Sequence, residues 1–250
     1  MRSLLILYKK ELKSFFMSPF GWVVLAFIML LQGLSMSFIL EQFDKVASDG
    51  NILLRCLSSP IFYIYFLFLF PLITMKQFAE EERSGTLETL MTAPIRTWQV
   101  VGSKYLSALT YYCFLWLPVF IHLKVFSWVT DAPLPISNAQ IIGAFSILFL
   151  IGTFYVAVGC LASSLTSSQI IAAIFTFGIL AFFLFLSHVP FMTGESFAMA
   201  DFFHYISFRE HIAYFTRGLI DLRPAVFYLS MAAFTLLLTH SIVDFRRWKN

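Results

Sequence analysis

The sequence predicts an all-α integral membrane protein whose six transmembrane helices form a single domain, residues 1–250. Hydrophobic residues make up 59% of the chain and charged residues only 12%, about half the charged fraction of an ordinary soluble domain. Apolar runs of 18 or more residues recur six times, and each is long enough to cross the hydrocarbon core of a bilayer. A soluble protein with one large buried core does not explain these runs.

Residues 1–19 predict a basic amphipathic helix that lies in the lipid headgroup layer. Apolar residues recur on one helical face, and Lys9, Lys10 and Lys13 supply positive charge that anionic lipid attracts. Pro19 disfavours helical conformation in the residue before it and is expected to end the segment. A disordered cytoplasmic tail is the alternative.

Six spans are predicted to follow, with boundaries set by the charged residues around each apolar run. The predicted spans are 20–40, 57–75, 105–128, 138–162, 169–189 and 224–243. The 21 residues of the first reach about 31 Å as a helix, which is enough to cross. Residues 132–194 contain no Asp, Glu, Lys or Arg, so two spans divide them near the hydroxyl-rich residues 163–168. Small residues in span four permit close helix contact: Gly143, Gly152, Ala157 and Gly159.

The distribution of basic residues predicts the orientation. Eleven Lys and Arg residues lie in the two terminal segments and residues 76–104, against six in the remaining connections. Because basic residues are enriched on the cytoplasmic side, both termini and residues 76–104 are expected there. Residues 190–223, which are rich in aromatic side chains, are predicted to form short outward-side helices that return partly into the membrane.

The sequence carries no signature of an enzyme. It has no phosphate-binding loop and no metalloprotease or hydrolase motif. Its three cysteines have no paired spacing, and its basic residues form no stripe for nucleic acid. His204 and His211 are a weak metal pair, for which interfacial packing is the preferred interpretation. The spans contain almost no ionisable groups, which disfavours an ion-coupled transporter. Energy for transport is therefore expected from outside the membrane.

Residues 76–104 form the one long polar segment predicted on the cytoplasmic side. Leu87, Leu90 and Met91 make an apolar stripe at helical spacing, on a segment too short to be stable without a surface to pack on. Its ends are marked by residues with known helix-terminus preferences: Ser84 or Thr86 as a cap, Gly85 at a sharp turn, Glu88 near the positive helix end and Pro94 as a stop. A juxtamembrane loop whose stripe touches lipid is the alternative.

The run EERSGTLETLMTAPI, residues 81–95, resembles the coupling segment of the membrane permeases of ATP-binding-cassette (ABC) systems of the second exporter type. Gly102 and Lys104 follow at that family's usual interval. The resemblance extends to residues 16–19 and to HIAYFTRGLID, residues 211–221, which look most like the branch of gliding-motility-associated and multicopper or nitrous-oxide maturation permeases.

The resemblance implies a role for each matching residue. The ATPase-coupling residues would be Glu81, Glu82, Arg83, Ser84, Gly85, Thr86, Leu87, Glu88, Leu90, Met91, Pro94 and Ile95. The outward-side segment would carry His211, Phe215, Gly218 and Asp221.

The resemblance also implies the composition of the assembly. This chain would be a permease subunit in a bacterial cytoplasmic (inner) membrane, served by two copies of a separate cytoplasmic ABC ATPase. It would pair with a second copy of itself or with a related permease, and would contact membrane lipid. ATP and Mg²⁺ would bind the ATPase, so the permease would hold no cofactor. Two other functions stay open: a nucleotide-independent channel or carrier, and a non-transporting scaffold of a motility or envelope machine.

Overall fold

The computed structural model describes residues 2–43, 52–86, 95–129, 136–193 and 200–249. Every regular element in this part of the chain is a helix. The helices are α1 Arg2–Met17, α2 Pro19–Phe43, α3 Ile52–Leu57, α4 Pro60–Thr74, α5 Ala79–Arg83, α6 Thr97–Phe114, α7 Leu117–Val129, α8 Asn138–Ser164, α9 Gln169–Thr193, α10 Ala200–Ile206, α11 Phe208–Thr216 and α12 Leu222–Lys249.

Six helical stretches in the described residues are long and apolar enough to cross a membrane, which confirms the predicted fold class. They are Pro19–Phe38, Pro60–Arg83, Thr97–Val125, Asn138–Ser164, Gln169–Val189 and Leu222–Arg246. The third is interrupted at Leu115 and Trp116, where α6 ends and α7 begins. Pro118 follows in the first turn of α7, a position that tolerates its missing N–H.

Helix α8 is the centre of the bundle. It is buried along most of its length from Gly143 to Ser164 and packs against α12, α9, α11, α6 and α4. A Cβ atom on Gly152 would come within 2.2 Å of the Tyr112 ring, and one on Gly159 within 2.2 Å of Thr74 Oγ1. As predicted, the small residues of this span let neighbouring helices approach closely.

Helix α1 packs along α6. The Phe15 ring stacks on the Tyr111 ring with centroids 4.6 Å apart, and Tyr8 and Thr110 share a hydrogen bond of 3.0 Å between their hydroxyls. Leu7 is buried in the same contact. The segment is therefore helical, as predicted, and part of its apolar face packs on protein. Its location in the headgroup layer stays a prediction.

Candidate functional site

A serine near the end of α8 fixes the corner between α4 and α5. Ser163 Oγ accepts hydrogen bonds from the backbone N–H groups of Phe78 at 3.0 Å and Ala79 at 3.1 Å, and donates to the carbonyl of Met75 at 3.2 Å. These backbone groups lie where α4 has ended and α5 begins. One fully buried hydroxyl therefore ties the start of α5 to the central helix.

Four charged side chains from three helices meet beside this corner, and we call them the charge cluster: Lys10, Glu11, Glu81 and Lys104. Glu81 Oε2 lies 2.9 Å from Lys104 Nζ, and Glu81 Oε1 lies 3.3 Å from Lys10 Nζ. Glu11 Oε1 is 3.4 Å from each of the two lysine nitrogens.

The cluster is partly buried, which makes its pairing energetically important. The side chain of Lys104 is 2% exposed and that of Glu81 is 16% exposed. An ammonium group at that depth is strongly destabilising without a charged partner. Because two lysines face two glutamates, the cluster is electrically balanced, and it holds α1, α5 and α6 together.

The end of α12 is tied to the same corner. Arg246 Nη1 and Glu82 Oε2 form an ion pair, and the hydroxyl of Thr97 at the start of α6 donates to Asp244 Oδ1 at 2.7 Å. These polar contacts fall where α12 continues through Lys249. Neighbouring residues of α5, Glu81 and Glu82, thus bind different helices, and a displacement of α5 would act on α1, α6 and α12.

The predicted coupling residues divide into paired, exposed and undescribed groups. Glu81 and Glu82 bind partners within the chain, whereas Arg83, Ser84, Gly85 and Thr86 are exposed. Gly85 has φ of 69°, in the left-handed region that favours glycine. The hydroxyls of Ser84 and Thr86 lie 2.9 Å apart, and each donates to the Glu81 carbonyl at 3.3 Å.

The remaining predicted coupling residues lie beyond this exposed turn. Ile95 is half-buried ahead of α6. Residues outside the described part of the chain are Leu87, Glu88, Leu90, Met91 and Pro94.

Sequence reasoning missed two members of the charge cluster as functional residues. Glu11 was not singled out, although it is the one acidic residue in α1. Lys104 was noted only for its interval in the family pattern. The three predicted lysines of α1 are all exposed, but only Lys10 belongs to the charge cluster.

The predicted outward-side residues lie at the opposite end of α12. His211 is 6% exposed, and its Nδ1 lies 3.0 Å from the Tyr228 hydroxyl. Burial lowers the pKa of His211 to about 4, because the charged ring is disfavoured away from water. Phe215 is buried, and Gly218 has φ of 82° in the turn after α11. Asp221 Oδ1 accepts from the backbone N–H of Arg223 at 2.9 Å, near the start of α12.

The two histidines of this segment have different partners. His204 Nδ1 contacts Glu210 Oε1, whereas His211 contacts Tyr228. Among the described residues, no three His, Cys, Asp or Glu side chains are placed to hold a metal ion. Helix α11 also packs into the bundle, since Phe208 is 2% exposed and lies 5.6 Å from Phe66 between ring centroids.

The family model described as ABC-2 family transporter protein matches residues 5–249. The matched range includes all six candidate spans, the charge cluster and the predicted outward-side residues 211–221. A comparison with curated proteins gave no match.

Proposed function

We propose, from the premise that this chain belongs to the ABC-2 family of transporter proteins, that it converts ATP hydrolysis by a separate ATPase into movement of its membrane helices. The chain is a multi-pass membrane protein and the permease subunit of an ABC transporter. Its family implies a cytoplasmic ABC ATPase as partner. The proposal concerns where that partner docks and how its motion enters the membrane.

The observation that carries this proposal is that two adjacent glutamates of α5 contact three other helices. Glu81 binds Lys104 at 2.9 Å and Lys10 at 3.3 Å, while Glu82 binds Arg246. Helix α5 is only five residues long, so a force on the turn after it reaches both glutamates. That force is passed to α1 and α6 through one carboxylate and to α12 through the other.

The docking surface in this proposal begins at the exposed residues 83–86 and continues through the predicted apolar stripe. Leu87, Leu90 and Met91 lie outside the described residues, so their packing on a partner rests on their spacing in the sequence. A short amphipathic segment is stabilised by packing rather than by its own helix propensity. The ATPase would supply the surface that this segment needs.

The remaining assembly follows from the sequence. We place both termini and residues 76–104 in the cytoplasm of a bacterial inner membrane, because eleven of the seventeen basic residues fall there. Two ATPase copies and a second permease, identical or related, would complete a transporter that exports its substrate. ATP and Mg²⁺ would bind the ATPase, since this sequence has no phosphate-binding loop.

Co-purification tests the docking surface directly. We expect Leu87→Asp and Leu90→Asp each to abolish co-purification of the ATPase while membrane insertion is unchanged, because a buried carboxylate opposes packing of the stripe. Leu219→Asp is the matched control, since Leu219 is 59% exposed just ahead of α12, and the part of that helix between it and Arg246 is roughly 36 Å long. Retention of the ATPase by both stripe variants would contradict the proposed docking surface.

Reconstitution separates this function from its two alternatives. A nucleotide-independent channel or carrier would give flux in liposomes that contain this chain alone. A non-transporting scaffold would retain its partners, but no candidate substrate would raise the rate of ATP hydrolysis by the ATPase. The proposed permease requires both the ATPase and ATP for activity.

A further inference from the structure

A cleft with a volume of about 310 Å³ lies between α1, the start of α2 and the junction of α4 with α5. Its volume falls at the lower end of the range of small-ligand sites. Phe15, Phe20 and Leu72 contribute to its apolar wall. Its polar wall is formed by residues at the charged end of the second span, among them Lys76, Gln77 and Glu80.

Gln77 lines this cleft and carries a buried hydrogen-bond acceptor. The residue is 4% exposed, and its Oε1 has no hydrogen-bond donor among the described residues. Buried polar atoms in folded proteins nearly always have a partner. If the Gln77 amide turns toward the cleft, a ligand that supplies an N–H or O–H group satisfies this oxygen.

Two charged groups at the cleft are available to a ligand. Lys76 Nζ lies 4.1 Å from the centroid of the Phe20 ring, and Glu80, four residues further along the chain in α5, is exposed. Within the described part of the chain, neither side chain has an ion-pair partner. The other charged residues lining the cleft are the charge cluster, whose members neutralise one another. The cleft therefore offers one positive group, one negative group and, once the Gln77 amide turns toward it, one acceptor.

The position of the cleft relative to the membrane selects a lipid. Leu72 lies within the second candidate span, whereas Lys76 and Glu80 lie near its charged end. A molecule bound here would place its polar part among charged side chains and its apolar part against Phe20 and Leu72. Amphipathic side chains and ligands take this orientation at a bilayer surface.

We propose that this cleft binds the headgroup of an aminophospholipid, a phosphodiester that carries a primary ammonium group. The phosphate pairs with Lys76, and the ammonium donates to Glu80 and to Gln77 Oε1. A choline headgroup has no N–H to donate to Gln77, and a glycerol headgroup carries no positive charge for Glu80. The site therefore prefers phosphatidylethanolamine to phosphatidylcholine and phosphatidylglycerol. This inference does not depend on how the ATPase docks.

Native mass spectrometry of the full chain, released from nanodiscs that contain equal amounts of these three phospholipids, tests the proposal. We expect one retained phosphatidylethanolamine, and about a tenfold loss of its retention in Gln77→Leu and in Glu80→Gln, since each removes a hydrogen bond to a charged group. Lys76→Ala, which leaves the buried Gln77 unchanged, is likewise expected to lower retention of phosphatidylethanolamine, because it removes the partner of the phosphate. Lys124→Ala, at an exposed lysine on α7, is the matched control and retains the lipid.

Two results would overturn this proposal. Equal retention of phosphatidylglycerol would mean that general electrostatic attraction holds the lipid, without recognition of an ammonium group. Displacement of the lipid by an equal concentration of soluble glycerophosphoethanolamine would assign the cleft to a soluble ligand. Retention of phosphatidylethanolamine against this competitor supports a lipid site, because the acyl chains add buried apolar area.

Discussion

Replacement of Lys104 by methionine tests whether the charge cluster holds α1, α5 and α6 together. The methionine side chain has a similar length and no charge, so Lys104→Met leaves Glu11 and Glu81 without their most buried partner. Removal of one member of a buried ion pair costs about 3–5 kcal/mol. Glu81 retains Lys10 at 3.3 Å and is 16% exposed, so the lower end of this range applies, about 3 kcal/mol.

The expected loss is measurable by thermal unfolding in detergent. For a chain of this size, each kcal/mol shifts Tm by about 2–4 °C, which predicts a decrease of roughly 6–12 °C for Lys104→Met. Lys13→Met is the matched control, because Lys13 is exposed on α1 and an exposed substitution of this kind changes stability by about 0.5 kcal/mol or less.

A double-mutant cycle with Glu81→Gln isolates the pair. Glu81 and Lys104 contact each other at 2.9 Å. We therefore expect the double variant to lose less free energy of unfolding than the sum of the two single losses, by at least about 1 kcal/mol. Losses that add to within about 0.5 kcal/mol would refute the conclusion that these two side chains stabilise the corner as a unit.

Two further predictions concern the central helix and the buried ring of His211. Gly159→Ala would place a Cβ atom 2.2 Å from Thr74 Oγ1 and is expected to destabilise the protein by about 1–3 kcal/mol. Gly178→Ala is the control and should not destabilise it, because the Cβ position at Gly178 is open space. Equal Tm values for the two variants would contradict this packing. The pKa of His211 is about 4 in the folded protein and about 6.5 when unfolded. The unfolded state therefore binds more protons between these two pH values. The stability contributed by the neutral His211 ring is complete above pH 6.5 and falls as the pH approaches 4, by up to about 3 kcal/mol. His211→Gln should reduce the Tm difference between pH 7 and pH 4.5, and an unchanged difference would contradict the burial of a neutral ring beside Tyr228.

The membrane helices could be predicted because their signal is local. Uncharged runs of sufficient length leave few other structures for the backbone in a bilayer, and Gln169 begins both the predicted fifth span and the observed helix α9. The glycines of α8 were identifiable for the same reason, since small residues at helical spacing permit close approach without reference to a particular partner.

Contacts between distant residues could not be predicted from the same patterns. The third span was expected to begin at Tyr105, after the charge of Lys104, yet α6 begins at Thr97. Lys104 is tolerated as a buried helical residue because Glu11 and Glu81, which are remote in sequence, approach its ammonium group. Likewise, the amphipathic pattern of α1 defined an apolar face but not its neighbour, and part of that face packs on α6.

The central claim, that the ATPase moves these helices from the α5 corner, is tested most directly by distances between spin labels on α1 and α12. Labels at the exposed positions Lys13 and Ser241, after replacement of the three native cysteines, would be measured in nanodiscs by electron paramagnetic resonance. Our account predicts that trapping ATP on the bound ATPase changes the mean distance between the labels, and that ATP without the ATPase does not. The same distance distribution with and without trapped ATP would contradict it.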